Sequence, residues 1–385
     1  MTTTYEIVAF HADRADWADH LAAAIAGELR SIGLHESVTV EQVRSPSIPA
    51  RPAVGVFLGS EAGAQDTDLI ERVAAAAKNG LVVIPLVEDL AHYVDHTPPP
   101  LHPVNGRRWN DHDVPALARL LLEELGIEDR SRRVFISHKR DDGLGVAEQL
   151  HDALTKAGFL PFIDRFAIPA GSDVQSAIAD ALEEYAFLLL VETPLAHTSR
   201  YVFWEVDYAL SHTMGTLILR WPDNPTPVPG SVGVNRLDVA PDDLTADEHG
   251  YDVLTDSAIE RIIREVESAH AAGIVRRRRM LVQSIEDAVT DSGTATCVPL
   301  PGWRLLVSEQ DDDTLVGVAP RLPTSRDLYE LDCDRRQLSP KPHSGLLVHA
   351  SRRIESSRQA ELKWAIANRQ LALAAETEVG ARWRD

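Results

Sequence analysis

Ser199-Arg-Tyr-Val-Phe-Trp-Glu-Val-Asp-Tyr-Ala209 decides how the rest of this chain is read. It follows the apolar run Ala186-Phe-Leu-Leu-Leu-Val191 and a loop containing Pro194, and it opens a helical pattern that ends near Gly215. An apolar run of this length bounded by turn residues suits a strand buried on both faces, and Ser199 suits a helix cap. The order strand, loop, helix sets Glu205 on a helix beside the end of a buried strand, where open α/β sheets keep their ligand crevice.

Upstream, Arg133-Val-Phe-Ile-Ser-His-Lys-Arg-Asp-Asp142 reads as a short strand breaking into a polar loop. Leu144, Ala147, Leu150, Leu154 and Ala157 then recur at helical spacing. A second strand, Leu160-Pro-Phe-Ile-Asp164, leads into the loop Arg165-Phe-Ala-Ile-Pro-Ala-Gly-Ser172, and a helix from about Asp173 to Tyr185 precedes the central strand. The predicted order is β-α-β-α-β-α-β.

Three blocks of this unit resemble, in order, the Toll/interleukin-1 receptor (TIR) domain, and in particular its bacterial NAD-cleaving members. Phe135-Ile-Ser-His138 is similar to the family's opening strand motif. Phe162-Ile-Asp164 through Ala170-Gly171 is similar to its second strand and mobile loop, and Ser199 through Glu205 to its Ser-x-Trp-Val-x-x-Glu signature. The resemblance covers roughly residues 131 to 222. It implies a flavodoxin-like parallel sheet and an NAD nucleosidase that releases nicotinamide by hydrolysis or cyclisation, with NAD as substrate and no cofactor. It also implies homo-oligomeric assembly through TIR domains and a role as a bacterial immune, anti-phage or toxin-like effector. The alternative is a non-catalytic TIR scaffold for homotypic contacts in signalling; nucleotide-signal transfer by a flanking domain that binds a cyclic nucleotide or ADP-ribose product is compatible with either.

Cleaving the nicotinamide–ribose bond needs little acid catalysis, because the leaving group is already a cationic pyridinium. The demand is a fixed carboxylate beside the oxocarbenium-like ribose. The resemblance puts the family's catalytic glutamate on Glu205, an assignment that fails if the side chain turns into the core. It puts Ser137, His138, Lys139 and Arg140 at the mouth, with the Arg165 to Ser172 loop gating access. His138 as a loop histidine capping a neighbouring helix stays open beside that role. Phe166 and Ile168 are apolar residues in a polar loop, either buried anchors or a sticky tip for assembly. The family usually has Trp four residues before the glutamate, where this chain has Tyr201. Tyrosine still offers a ring to stack on a base or nicotinamide, whereas Trp204 is expected to pack elsewhere, since adjacent helix positions point about 100° apart.

A 385-residue chain holds two or three domains, and its 44% hydrophobic and 25% charged residues are ordinary for a globular protein. The net charge of −21 argues against a general binder of nucleic acid or anionic membranes. The run Arg276-Arg-Arg-Arg279 within a helical pattern is read as a solvated face or as partners for carboxylates. Only Cys297 and Cys333 occur, in no metal or redox spacing, which fits a reducing cytoplasm. The N-terminus has no basic segment followed by an apolar one, and no apolar run approaches a membrane helix, so a cytoplasmic protein is expected. No zinc-ligand cluster, Gly-rich phosphate loop or Ser-His-Asp order stands out.

Residues 1–128 read as a repeat of the same unit: strands at Glu6–Phe10, Ala53–Leu58 and Leu81–Leu86 and helices at Trp17–Leu29 and Leu69–Asn79. Phe10-His11-Ala-Asp13 stands where Ser137-His138-Lys-Arg140 stands later, and Leu69-Ile-Glu71 parallels Phe203-Trp-Glu205. The family's loop signature is missing, so a degenerate, inactive TIR-like α/β domain is expected, against the plain alternative of any small α/β domain. Pro98–Pro103 reads as a stiff connector or surface loop and Val114–Leu125 as a helix. Residues 223–255 read as a linker or loop region. Residues 256–385 read as a small α/β domain of unknown role, with helices at Asp256–Ala271, Val275–Thr290 and Ser357–Arg369. Its strands are expected at Arg304–Ser308, Leu315–Ala319, Gly345–His349 and Leu371–Ala374.

Overall fold

The computed structural model describes residues 3–31, 38–43, 53–79, 81–109, 114–127, 132–163, 174–222, 224–246, 252–300, 302–309, 312–338, 340–351 and 353–383. The chain forms two compact units: Thr2–Glu128 with Val298–Arg304, and Asp129–Cys297 with Leu305–Asp385.

The first unit runs β1 (Thr3–Phe10), α1 (Ala15–Ser31), β2 (Val38–Val43), β3 (Ala53–Leu58), α2 (Glu61–Gln65), α3 (Thr67–Lys78), β4 (Val83–Val87), α4 (Tyr93–His96), β5 (Arg107–Arg108) and α5 (Val114–Glu124). Its parallel sheet has the order β2-β1-β3-β4-β5, the flavodoxin-like order. In the proline stretch Pro99–Leu101 forms a short 3-10 turn; Pro99, His102 and Pro103 are exposed as in a surface loop, and Leu101 is buried with Val8, Phe10, Phe57 and Leu69, which anchors the segment to this unit's core.

The second unit continues with β6 (Arg133–Ser137), α6 (Arg140–Lys156), β7 (Leu160–Ile163), α7 (Val174–Tyr185), β8 (Phe187–Glu192), α8 (Arg200–Ser211), β9 (Gly215–Arg220), β10 (Arg236–Asp238), β11 (Leu244–Ala246) and β12 (Asp252–Leu254). The sheet order is β10-β9-β8-β6-β7, all parallel. The expected strand and helix order holds, and both faces of β8 are covered. Leu188 and Leu190 pack with Val202, Val206 and Ala209 of α8, whereas Leu189 and Val191 pack on the other side with Leu150 and Leu154 of α6. That double cover is why β8 is a continuous apolar run and not an alternating one.

The linker reading of 223–255 is corrected. Leu237 of β10 pairs with Leu219, so Arg236–Asp238 is the fifth strand of the sheet, β11 and β12 pair with each other as a separate antiparallel ribbon, and Val228 and Ser231 are fully buried. Proline-rich composition marks absence of helix, but it does not exclude a chain that doubles back and buries itself against a strand end.

The remaining elements are α9 (Asp256–Ser292), β13 (Ala295–Leu300), β14 (Arg304–Glu309), β15 (Asp312–Ala319), α10 (Ser325–Gln337), β16 (Ser344–His349), α11 (Ser356–Ile366), β17 (Leu371–Ala375) and α12 (Glu376–Arg382). β15, β16 and β17 lie side by side and parallel. The two expected helices are one 37-residue helix, α9, capped by the Thr255 side chain and ended by left-handed Gly293. Its first half places Ala258, Ile262 and Val266 in the core beneath β8 and β9. The arginine run is not a solvated face throughout: Arg277 and Arg278 are buried.

Candidate active site

β6 and α8 bring the decisive pair together. β6 lies next to β8, the central strand, and its last residue, Ser137, emerges at the carboxyl edge of the sheet opposite Leu190. α8 starts at the Ser199 cap, whose side chain accepts from the Val202 amide, and carries Glu205 back over that edge. The Ser137 hydroxyl donates to Glu205 Oε2 at 2.5 Å. Glu205 is 4% exposed and Ser137 1%. The carboxylate is therefore withdrawn from solvent and hydrogen-bonded to the hydroxyl at the strand end.

The mouth is built from the polar loop after β6 and the loop after β8. His138 is buried, and a Cβ at Gly143 would stand 3.3 Å from its own Cβ, so the start of α6 closes tightly on the histidine. Lys139 precedes α6 and pairs with Asp141 at 3.1 Å. Arg140, the first residue of α6, is exposed. Asp142 accepts from Thr193 Oγ1 and from the Leu195 amide, each at 2.8 Å, which ties the two loops together.

Behind them Glu192, fully buried at the end of β8, accepts from the Val228 amide at 3.0 Å and from Arg236 Nε at 3.1 Å, with Arg236 Nη2 also on the Ser231 hydroxyl. A charge at that depth is tolerable only because it is paired and hydrogen-bonded. The pairing fixes the returning chain of residues 228–236 to the strand end. Sequence reading passed over Asp142, Thr193, Glu192 and Arg236. The one available signal was a carboxylate closing an apolar strand.

Tyr201 lies one turn before Glu205, 42% exposed, with the Arg200 guanidinium 5.2 Å from its ring centre. Trp204 points elsewhere, packing on Tyr208 at 5.3 Å. Phe166 and Ile168, with the rest of 164–173, lie outside the described residues. The pair of blocks expected to match in the first unit diverges at the side chains. Glu71 is exposed, and the polar contact at that sheet's edge is Ser60 donating to Asp13 at 2.5 Å. Among the described residues no cluster of potential metal ligands occurs, and no helix is long and apolar enough to cross a membrane.

Comparison with known proteins gives one family. The TIR domain model matches residues 134–255. The TIR domains of the activated Roq1 resistosome, which directly recognises the pathogen effector XopQ, match at 20% identity and TM-score 0.23, over 24% of this chain and 58% of that one. A putative two-component response regulator/GGDEF domain protein matches at 12% identity and TM-score 0.26, over 71% of this chain and 100% of that one. A Vibrio cholerae protein matches at 13% and 0.17, over 66% and 96%. At these scores the three carry no weight for function, and the chain spans little more than half the length of the resistosome chain. No curated protein matches.

Proposed function

The chain carries a TIR domain over residues 134–255, and from that premise we propose that it is an NAD-cleaving enzyme with Glu205 as its catalytic carboxylate. The observation that carries the reading is the Ser137–Glu205 hydrogen bond at the carboxyl edge of the sheet. In the reaction the bond from the nicotinamide nitrogen to the ribose C1′ breaks. Its electron pair leaves with the ring, so the pyridinium departs as neutral nicotinamide and positive charge develops on the ribose. A carboxylate held in a water-poor setting stabilises that charge without having to reorganise. Water then attacks C1′ and releases a proton, giving ADP-ribose; attack by the adenine ring gives a cyclic product instead.

In this reading Ser137 is a positioning residue, since its hydroxyl fixes the carboxylate oxygen. His138, Lys139 and Arg140 supply cationic and polar groups for the pyrophosphate at the mouth, and Tyr201 offers a ring face. The anti-phage or toxin-like role, and activation by assembly of TIR domains, belong to the same proposal. The scaffold reading draws on Tyr201 and Phe203, each 42% exposed on α8. The deciding experiment incubates the protein with NAD at low and high protein concentration and follows nicotinamide, beside Glu205→Gln. Release that requires Glu205 and rises more than linearly with concentration is expected. Silence from both proteins under forced crowding would leave the scaffold.

A further inference from the structure

At the carboxyl edge of β15, β16 and β17 sits a knot of buried polar groups that NAD cleavage does not use. His349 ends β16 at 5% exposure and Ser351 follows at 2%. Arg277 arrives from α9, also 2% exposed, with Nη2 3.3 Å from the Ala350 carbonyl. Ser351 Oγ is enclosed without a hydrogen-bond partner, and the His349 ring is held by a hydrogen bond with the Ser351 backbone. A buried hydroxyl left unmatched costs free energy that native interiors rarely tolerate, and one beside an arginine suits a ligand that carries hydrogen-bond acceptors.

The topology adds to this. α10 follows β15 and α11 follows β16, so both helices start at this same edge and turn the positive ends of their dipoles to it. Of the carboxylates on these elements, Asp327 is paired with Arg321 and accepts from the Thr324 amide, while Glu378 accepts from the Ala375 amide and keeps a charge that acts on His349. Burial holds the His349 imidazole neutral at ordinary pH, its pKa lowered to about 4 against the opposing effects of a hydrogen bond with the Ser351 backbone and of the Glu378 carboxylate.

We propose that this edge is a binding site for a small phosphate-bearing anion, held by the juxtaposed Arg277 guanidinium, Ser351 hydroxyl and His349 imidazole. The site stands independently of NAD cleavage. It also touches the TIR domain. The Leu322 amide, after β15, donates to the Glu183 carbonyl of α7 at 3.3 Å, and Arg353, after β16, pairs with Asp180 of α7 at 2.9 Å. Glu183 in turn accepts from the Tyr208 hydroxyl of α8 at 2.8 Å. The segments that follow β15 and β16 are thus tied to α7, and α7 to the helix that carries Glu205.

The test titrates the full chain calorimetrically, at constant ionic strength, with three probes: inorganic phosphate, pyrophosphate and adenosine 5′-monophosphate. At least one is expected to bind one to one, and tighter binding of the nucleotide than of phosphate would assign the ligand to that class. Ser351→Ala, which removes one small hydroxyl, is expected to keep the thermal midpoint and lose about tenfold in affinity, and Arg277→Lys to lose more, as for hydrogen bonds to a charged group. No binding of any probe up to about 10 mM, or equal affinities in the wild type and both variants, would overturn the proposal.

Discussion

Glu205 and Ser137 stand 68 positions apart and meet because β6 and α8 share one edge of one sheet. Replacing Glu205 by Gln keeps the volume and a hydrogen-bonding partner for Ser137 while removing the charge. Nicotinamide release is expected to fall by about a thousandfold or more with the thermal midpoint nearly unchanged. Ser137→Ala frees the carboxylate from one charge-assisted bond, and a loss of about 10- to 100-fold in kcat is expected with smaller change in KM. Unchanged kcat would remove Ser137 from the positioning role.

His349 yields a pH prediction. Its pKa is about 4 in the folded chain against 6.5 when solvated, because burial disfavours the charged form. The unfolded chain therefore binds the extra proton first, and this contribution to stability is complete above about pH 6.5 and drains away as pH falls toward 4, on the order of 3 kcal/mol in all. Urea midpoints at pH 7.5 and 5.0 should separate less in His349→Phe than in the wild type. At this scale Glu205 was legible from the spacing of its helix, whereas Asp142 and Glu192 were not. Their partners lie 51 and 44 residues away at Thr193 and Arg236, and only the folded loops say that they are anchors.

Among the elements, α9 departs furthest from its sequence pattern. Gly273 invites a break between two helices, but the helix runs through it because Gly273 faces Gly215 at the start of β9. A Cβ added there would stand 2.9 Å from the Gly215 Cα. Gly273→Ala, a favourable change in an isolated helix, is thus expected to destabilise by about 1–3 kcal/mol through overpacking, read as a lower denaturation midpoint.

One turn and a half earlier, Glu267 pairs bidentately with Arg132, Nη2 to Oε2 being 2.6 Å, while the Arg132 guanidinium lies 4.0 Å from the Phe159 ring centre. Both side chains are almost wholly buried. Glu267→Ala strands the arginine, so a loss of about 3–5 kcal/mol is expected. A smaller loss would mean that water reaches Arg132. α10 went unread because it buries only Leu328 and Leu331 as apolar anchors and fills the rest of that face with Asp332 and Arg335, salt-bridged at 2.8 Å. Polar residues that satisfy one another in a fold resemble loop in a sequence.

In the whole molecule, the TIR sheet and α9 cannot be parted cleanly. A fragment of residues 132–255 would expose the face that Ala258, Ile262 and Val266 cover, at roughly 1.5–3 kcal/mol for each large side chain. It is expected to aggregate or to unfold without cooperativity, whereas residues 132–292 should melt as one transition. Equal behaviour of the two in calorimetry would show the helix to be dispensable.

Pattern alone determined the α/β class, the β6 to β9 order and the place of Glu205 on its helix, because strand and helix periodicities and caps are local properties. It also suggested the repeat in the first unit, where the sheet order agrees though Glu71 faces outward. Tertiary structure alone decided that Arg236–Asp238 adds the fifth strand, that α9 is continuous, and that Arg277 reaches the Ala350 carbonyl between His349 and Ser351. Each of these depends on which distant surface a segment covers. A glycine, a proline or an arginine carries the same local signal whether that surface is water or another strand.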